Sequence, residues 1–456
     1  MYTLPKGTDM KMLSVSDIEK IIAYGKNLQE RFTKLENYYL GVHDITGRKK
    51  NPGLSNNIVI VNHPKYIVDT NVGYLLGNPV DYQPSEGIDI EPVKDAYKKQ
   101  TINDLDVEIA RDCGIFGLQY EWLYANENSE PRSAEVDNKQ IVLVRDDTIE
   151  HNKLFAVMWR DIYQGDENKQ DKLLYQEIVM VDKEIRRTYR LKNKQLEMID
   201  EEEHVFGDVP VIEYRNNPDL KGDFEDVISL IDAYNILQSD RVNDKEQLVD
   251  AILVIHQMDF KDTDIDSLLE HRVIAGVPAD AKVEYLVKNL NEADTDVLRQ
   301  TIENDIHKIS MVPNMSDENF IGNSSGVAIR YKLLAFEQNI KNKERYFEKG
   351  LMERFKMYNH YLMVKSNMQE VPTEEVDAVF KRNLPSNDLE ISQMINNLSG
   401  MVDKETLIAQ LSFVKDAKEI VALVEKENEI KEPEPQPEQM YEEIPDSNNT
   451  NNGIIN

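Results

Sequence analysis

SMVPNMSDENFIGNSSG (residues 310–326) runs straight into VAIRYKLLAFEQNIKNKERYFEKGLMERFKMYNHYL (327–362), a polar loop followed by a long apolar-periodic segment. The loop carries no Lys or Arg. The segment behind it places Ile329, Leu333, Phe336, Ile340, Phe347, Leu351, Phe355, Tyr358 and Leu362 mostly three or four residues apart, the spacing of one buried helical face. Ser324 or Ser325 can cap its first turn, and no proline interrupts it before Pro372. A helix of roughly 40 residues measures about 60 Å at 1.5 Å per residue. That length exceeds an ordinary globular core and predicts an element that spans a larger assembly.

Working outward, 224–252 and 294–311 read as helices around a mixed segment, 253–292, with strand-like LVIHQM and VEYLV. From about 118 to 215 the period changes to two. LQYEWLYA, QIVLVRD, LFAVMWRD, LLYQEIVMV, EIRRTYRL and QLEMID, separated by polar turns, predict one antiparallel meander with a solvated side. Upstream, a helix over 14–40 carries a capping box at Ser16 and Glu19 and ends at Gly41. Pro64 opens a second helix that Gly77 closes, and a third covers roughly 92–113. After the long helix, VDAVFKRNLP reads as a strand and 388–399 and 403–427 as amphipathic helices. The Pro-, Glu- and Asn-rich end, 429–456, is expected to be disordered.

The chain has 456 residues, enough for roughly two to four domains. Its single cysteine, Cys113, excludes an intrachain disulfide, fits a reducing compartment, and reads as a buried packing residue. The first residues lack a sustained apolar run, so no signal peptide is expected, and no window is long and apolar enough for a membrane span. With 53 Lys and Arg against 84 Asp and Glu, the net charge is −31. Gripping DNA for sequence readout needs a basic face, so this balance argues against a repressor or a nuclease clamp. It is compatible with DNA that must slide past without sticking. The basic loop Arg48, Lys49 and Lys50 reads as a solvated surface or a protein-facing contact rather than a DNA site.

No phosphate-binding glycine loop, HExxH, CxxC or GxSxG is present, and the eight histidines lack ligand spacing. Asp262, Asp264 and Asp266, and Asp89 with Glu91, are alternating carboxylates able to chelate a divalent cation, though such patterns usually mark a solvated face. An EF-hand loop starting at Asp262 fails, with Ser267 where glycine is needed and Val273 where glutamate is needed. The sequence thus designates no catalytic residue, cofactor or metal.

A series of stretches in consistent order carries a resemblance: NYYLGVHDI (37–45), VIVNHPKYIVDTNVGYLLGNPVDY (59–82), GIFGLQYEWLY (114–124), FGDVPVIEYRNN (206–217), FEDVISLIDAYNILQSDRVND (224–244), FIGNSSGVAIRYKL (320–333) and GMVDKETLIAQLSFVKDAKEIVALVEKE (400–427). Over roughly 14–428 the chain resembles the portal proteins of tailed double-stranded DNA bacteriophages of the siphophage type. The resemblance implies an α+β portal architecture. An N-terminal region and α/β wing occupy 1–235, with stem helices at 236–252 and 293–311 around a small α/β clip at 253–292. A tunnel loop at 312–325, a long spoke helix at 326–366, a wing return strand at 367–387 and a helical crown at 388–428 come next, before the acidic tail at 429–456.

It implies a ring, usually of twelve subunits, at one capsid vertex, through which double-stranded DNA is packaged and ejected. The implied partners are further copies of the chain, the terminase large subunit, scaffold and major capsid proteins, and the head-completion connector. Tunnel-loop residues facing DNA would be Asn314, Ser316, Asp317, Glu318, Asn319, Asn323 and Ser324. Arg299, Glu303 and Lys308 on the stem would line the channel or bond to neighbouring subunits. Twelve copies carry about −372 of formal charge, which repels phosphate within about 8–10 Å of the wall at physiological salt. The competing reading is a metal-dependent nucleic-acid-processing enzyme built on the carboxylate clusters. A coiled-coil scaffold on the long helix is a third, weakened because Lys343 and Gly350 break the heptad seam.

Overall fold

The computed structural model describes residues 1–51, 55–164, 172–249, 252–256, 282–286, 292–315, 331–366, 371–382, 388–409 and scattered positions from 411 to 426. Helix α1 (Val15–Tyr39) starts one residue after Ser14, whose side chain accepts from Asp17 N while the Asp17 carboxylate accepts from Ser14 N. The capping box is therefore Ser14–Asp17 rather than Ser16–Glu19. Ser16 already has helical backbone, and a cap must sit in the extended conformation that Ser14 adopts. Gly41 comes just after the helix with φ +84°, as its position beyond the last turn requires. Helix α2 (His63–Leu76) has Pro64 in its first turn, Asn62 as cap and Gly77 at its end, matching the sequence expectation.

The expected helix over 92–113 is two: α3 (Glu91–Lys98) and α4 (Ile102–Phe116), broken at Thr101 with φ +52°. Tyr97 and Ile102 both point into the core. Five residues apart on one straight helix they would diverge by about 140°, so the helix breaks between them.

The single meander is also corrected. Strand β1 (Tyr2–Leu4) runs parallel to an antiparallel run of β5 (Ile141–Asp146), β6 (Lys153–Gln164), β7 (Lys172–Val181), β8 (Ile185–Lys192) and β9 (Gln195–Glu203), giving the order β1-β5-β6-β7-β8-β9. LQYEWLYA is β3 (Leu118–Ala125), which belongs to a separate sheet between β4 (Pro131–Val136) and β10 (Val211–Arg215). Its polar positions do not face water: Gln119 and Glu121 are 1% and 0% exposed. Beneath the six-stranded sheet, Ile18, Ile21 and Ile22 of α1 pack with Val144, Phe155, Val157 and Trp159. Gly25 allows this approach, since a Cβ there would stand 2.2 Å from the Trp159 ring.

Among the described residues, two short antiparallel pairs complete the sheets, β2 (Asp81–Pro84) with β13 (Val376–Val379) and β11 (Ile252–His256) with β12 (Lys282–Leu286). Helix α5 (Ile228–Val249) precedes β11, and α6 (Glu292–Ser310) comes after β12 and packs against α5.

The long helix is α7 (Leu334–Ser366), 33 residues or about 50 Å. Its proposed start near Ser324 and Ser325 lies outside the described residues. Phe336, Ile340, Phe347, Leu351, Phe355 and Tyr358 are all buried, against α2, α3, β4, β10 and β13. This corrects the expectation of an element reaching beyond one core. Segments from both halves of the chain line its length, so it is the central helix of the compact unit Met1–Asn383.

Both exceptions to its apolar pattern are built in. Lys343 is paired with Asp223 at 2.5 Å and bonded to Asn216 at 2.8 Å. Gly350 faces the Tyr214 ring, 2.4 Å from where a Cβ would lie. Cys113 is buried, as expected. The second unit, Leu384–Asn456, contains α8 (Asp388–Leu398) and α9 (Lys404–Ile408), the latter capped by Asp403. The rest of the expected 403–427 helix is described only in part.

Candidate channel-facing helices and the root of the loop

Helix α5 carries Asn235, Ser239 and Asn243 at intervals of four, all buried. Residues 57–61, ahead of α2, lie along this stripe. Val61 N donates to Asn235 Oδ1 (2.9 Å), Val59 N to Ser239 Oγ (2.9 Å) and Asn57 N to Asn243 Oδ1 (2.6 Å). Four helical residues rise about 6 Å and two extended residues about 6.7 Å, so alternate amides meet successive turns. The spacing N-x3-S-x3-N was visible in the sequence; its partner, 174–186 residues away, was not. Asn235 also donates to His43 Nδ1 (2.8 Å), and His43 Nε2 meets Tyr38 O (3.0 Å). Burial lowers the His43 pKa, in keeping with a neutral ring holding one donor and one acceptor.

The basic loop turns inward at two of its three positions. Arg48 and Lys50 both reach Asp240 on α5, at 2.7 and 3.1 Å, while Lys49 is exposed. The expected solvated or protein-facing patch thus shrinks to Lys49. Paired charges on a helix and its flanking loop satisfy one another more cheaply than each would in isolation.

On α6, Arg299 binds Asp296 at 2.9 Å and Glu303 at 2.7 Å, one turn to either side. Hydrogen bonds to Tyr234 and Asp296 raise its pKa. Glu303 in turn accepts from Asn314 Nδ2 at 3.1 Å. Three of the sequence-derived candidates therefore form one chain, and Arg299 and Glu303 are engaged within their own subunit. Lys308 is exposed, with no ion pair among the described residues. Ser316, Asp317, Glu318, Asn319, Asn323 and Ser324 lie outside the described residues.

The exit from α6 is held by residues that sequence reasoning missed. Met311 takes a left-handed backbone, φ +58°, and Val312 is fully buried. Val312 O meets His307 Nδ1 at 2.9 Å. The Tyr66 hydroxyl of α2 donates to Pro313 O (2.7 Å) and accepts from Met315 N (3.1 Å). The His307 ring stands edge-on to both Tyr66 and His63. Burial, then the neighbouring His307, push the His63 pKa down to about 4.

Asp89 is exposed, and its Oδ1 accepts from Glu91 N at the start of α3. Asp262, Asp264 and Asp266 lie outside the described residues. Among the described residues, no three His, Cys, Asp or Glu side chains gather closely enough to hold a metal ion, and no helix is long and apolar enough to cross a membrane.

In chain order, α5 and α6 flank the β11–β12 pair, and α7 comes after them. The family described as phage portal protein, SPP1 Gp6-like, matches residues 18–434. The chain belongs to the SPP1 Gp6-like phage portal protein family. It is 23% identical to the portal protein of Bacillus phage SPP1 over 377 residues, covering 80% of this chain and 74% of that one. It is also 22% identical to the portal protein of Clostridium phage phiCD119 over 448 residues, covering 92% and 97%. Portal-family membership makes this a structural protein of a phage particle rather than a member of a catalytic family.

Proposed function

We propose that this portal-family chain forms a closed ring, of twelve subunits, at one vertex of the capsid, and that double-stranded DNA enters and leaves through it. The observation that carries the reading is the α5–β11–β12–α6 module. Its two helices pack together yet leave Ile236, Val242, Val297, Leu298 and Ile309 between 43% and 64% exposed. Apolar side chains in such numbers on one helix pair call for cover, and neighbouring copies in a head-to-tail ring would supply it. In this reading α5 and α6 are the stem, β11–β12 belong to the clip, and α7 is the spoke. The sheets of 1–235, with β13, make the wing, and α8 and α9 belong to the crown.

The acidic balance supports passage without adhesion, because a negative wall repels phosphate and leaves nothing for DNA to grip. The segment from 312 to 325 would face DNA as the tunnel loop, with Asn314 nearest the stem. The ring would dock the terminase large subunit during filling and the head-completion connector afterwards, and would meet scaffold and major capsid proteins during assembly in the host cytoplasm. Immunogold labelling of this chain on intact heads tests the placement. Label at a single vertex of each particle is expected; label at all vertices, or none on heads, would contradict it.

A further inference from the structure

We propose that Tyr66 is a positioning residue: its hydroxyl, bridging Pro313 and Met315, fixes the point at which the chain leaves α6 for the loop. This rests on the portal reading, in which that loop meets DNA. A tyrosine hydroxyl offers one donor and two acceptor sites, and here it uses both kinds on backbone groups two residues apart. Pro313 has no N–H, so its carbonyl is its sole backbone hydrogen-bonding group, and Tyr66 holds it.

The neighbouring contacts fix the same short segment from the other side. His307 holds Val312 O, Glu303 holds Asn314, and Val312 itself is fully buried in the same apolar cluster as Ile306. Residues 311–315 are thus tied both to α6, where they originate, and to α2, 247 residues earlier in the chain. A root tied to one helix could swing about it; a root tied to two cannot. Tyr66 is half-buried beneath the segment, so its role is to aim the loop beyond Met315 rather than to touch DNA.

The test is Tyr66→Phe, which removes the hydroxyl and keeps the ring against His307. Rings of the variant are compared with wild type by electron microscopy and by hydrogen exchange at the Met315 amide. The same gene then complements a phage lacking its own copy, and DNA-filled heads are counted. Expected are intact rings, exchange at Met315 faster by about tenfold, as the loss of one or two hydrogen bonds implies, and fewer filled heads. His307→Phe, which frees Val312 O but keeps an aromatic edge, is expected to act in the same direction and decides the matter should Tyr66→Phe form no rings. Unchanged exchange at Met315, or faster exchange with normal filling, would overturn the proposal. Wild-type chain that fills no heads would instead overturn the portal reading on which it rests.

Discussion

Arg354 of α7 and Glu121 of β3 meet with both side chains fully buried, Nε standing 2.7 Å from Oε1 and 3.0 Å from Oε2. Arg354 Nη1 also binds Asp106 of α4 at 2.6 Å, and the Tyr214 hydroxyl donates to Glu121 at 2.7 Å. The guanidinium lies near the Tyr97 and Tyr214 rings as well. One cation thus joins the long helix to α4 and to the three-stranded sheet. Burial raises the Asp106 pKa although Arg354 pulls the other way.

Removing that cation leaves two carboxylates in the core. Arg354→Met is expected to cost about 3–5 kcal/mol, the usual penalty for stranding buried charge. Thermal melts check it, and the triple variant Arg354→Met, Glu121→Gln, Asp106→Asn should recover part of the loss. A single variant as stable as wild type would show that the network does not tie these elements together.

The ladder on α5 predicts a smaller and more local effect. Ser239→Ala removes the acceptor for Val59 N and the donor to Val59 O, both in a buried position. A loss of about 1–2 kcal/mol is expected, with faster hydrogen exchange at Val59 and little change in the six-stranded sheet. Asn235→Ala should cost more, because it also frees His43.

Glu135 of β4 supplies a pH dependence. Burial, then the nearby Asp112 carboxylate, push its pKa from the ordinary 4.5 up to about 8. An acid whose folded pKa is raised contributes most below its unfolded value, and stability is lost as pH rises through the folded one. The window is therefore pH 4.5 to 8. Glu135→Gln should melt near wild type at the acid end and above it at pH 8. The gain expected is on the order of 1 kcal/mol, well below the full shift, since part of the side chain remains in water. Equal melting differences at both ends would contradict this assignment.

How much could be read in the sequence depends on how local each signal is. The C-terminal end of α1 and both ends of α2 were legible because Pro64, Gly41 and Gly77 act within one turn, whereas the α1 capping box was placed two residues late. The α7 face was legible because its period is local too. Arg354 was not, as its partner Glu121 lies 233 residues away and looks, in LQYEWLYA, like a solvent-facing strand position. The same distance hid the departure of β3 from the meander, which depends on β10 nearly a hundred residues later. At the candidate site, Arg299, Glu303 and Asn314 were named for facing DNA or neighbouring subunits. The two α6 residues are joined by i, i+4 pairing that the sequence also contained, and Asn314 reaches back to Glu303 across the helix end. Tyr66 left no such trace.

The central claim is that copies of this chain close into a ring through the faces that α5 and α6 leave uncovered. Cryo-electron microscopy of the purified full-length protein tests it most directly. Closed rings of about twelve subunits, with Ile236, Val242, Val297 and Leu298 buried between neighbours, are the predicted result. A protein that remains monomeric at high concentration, or rings in which those side chains stay in solvent, would contradict it.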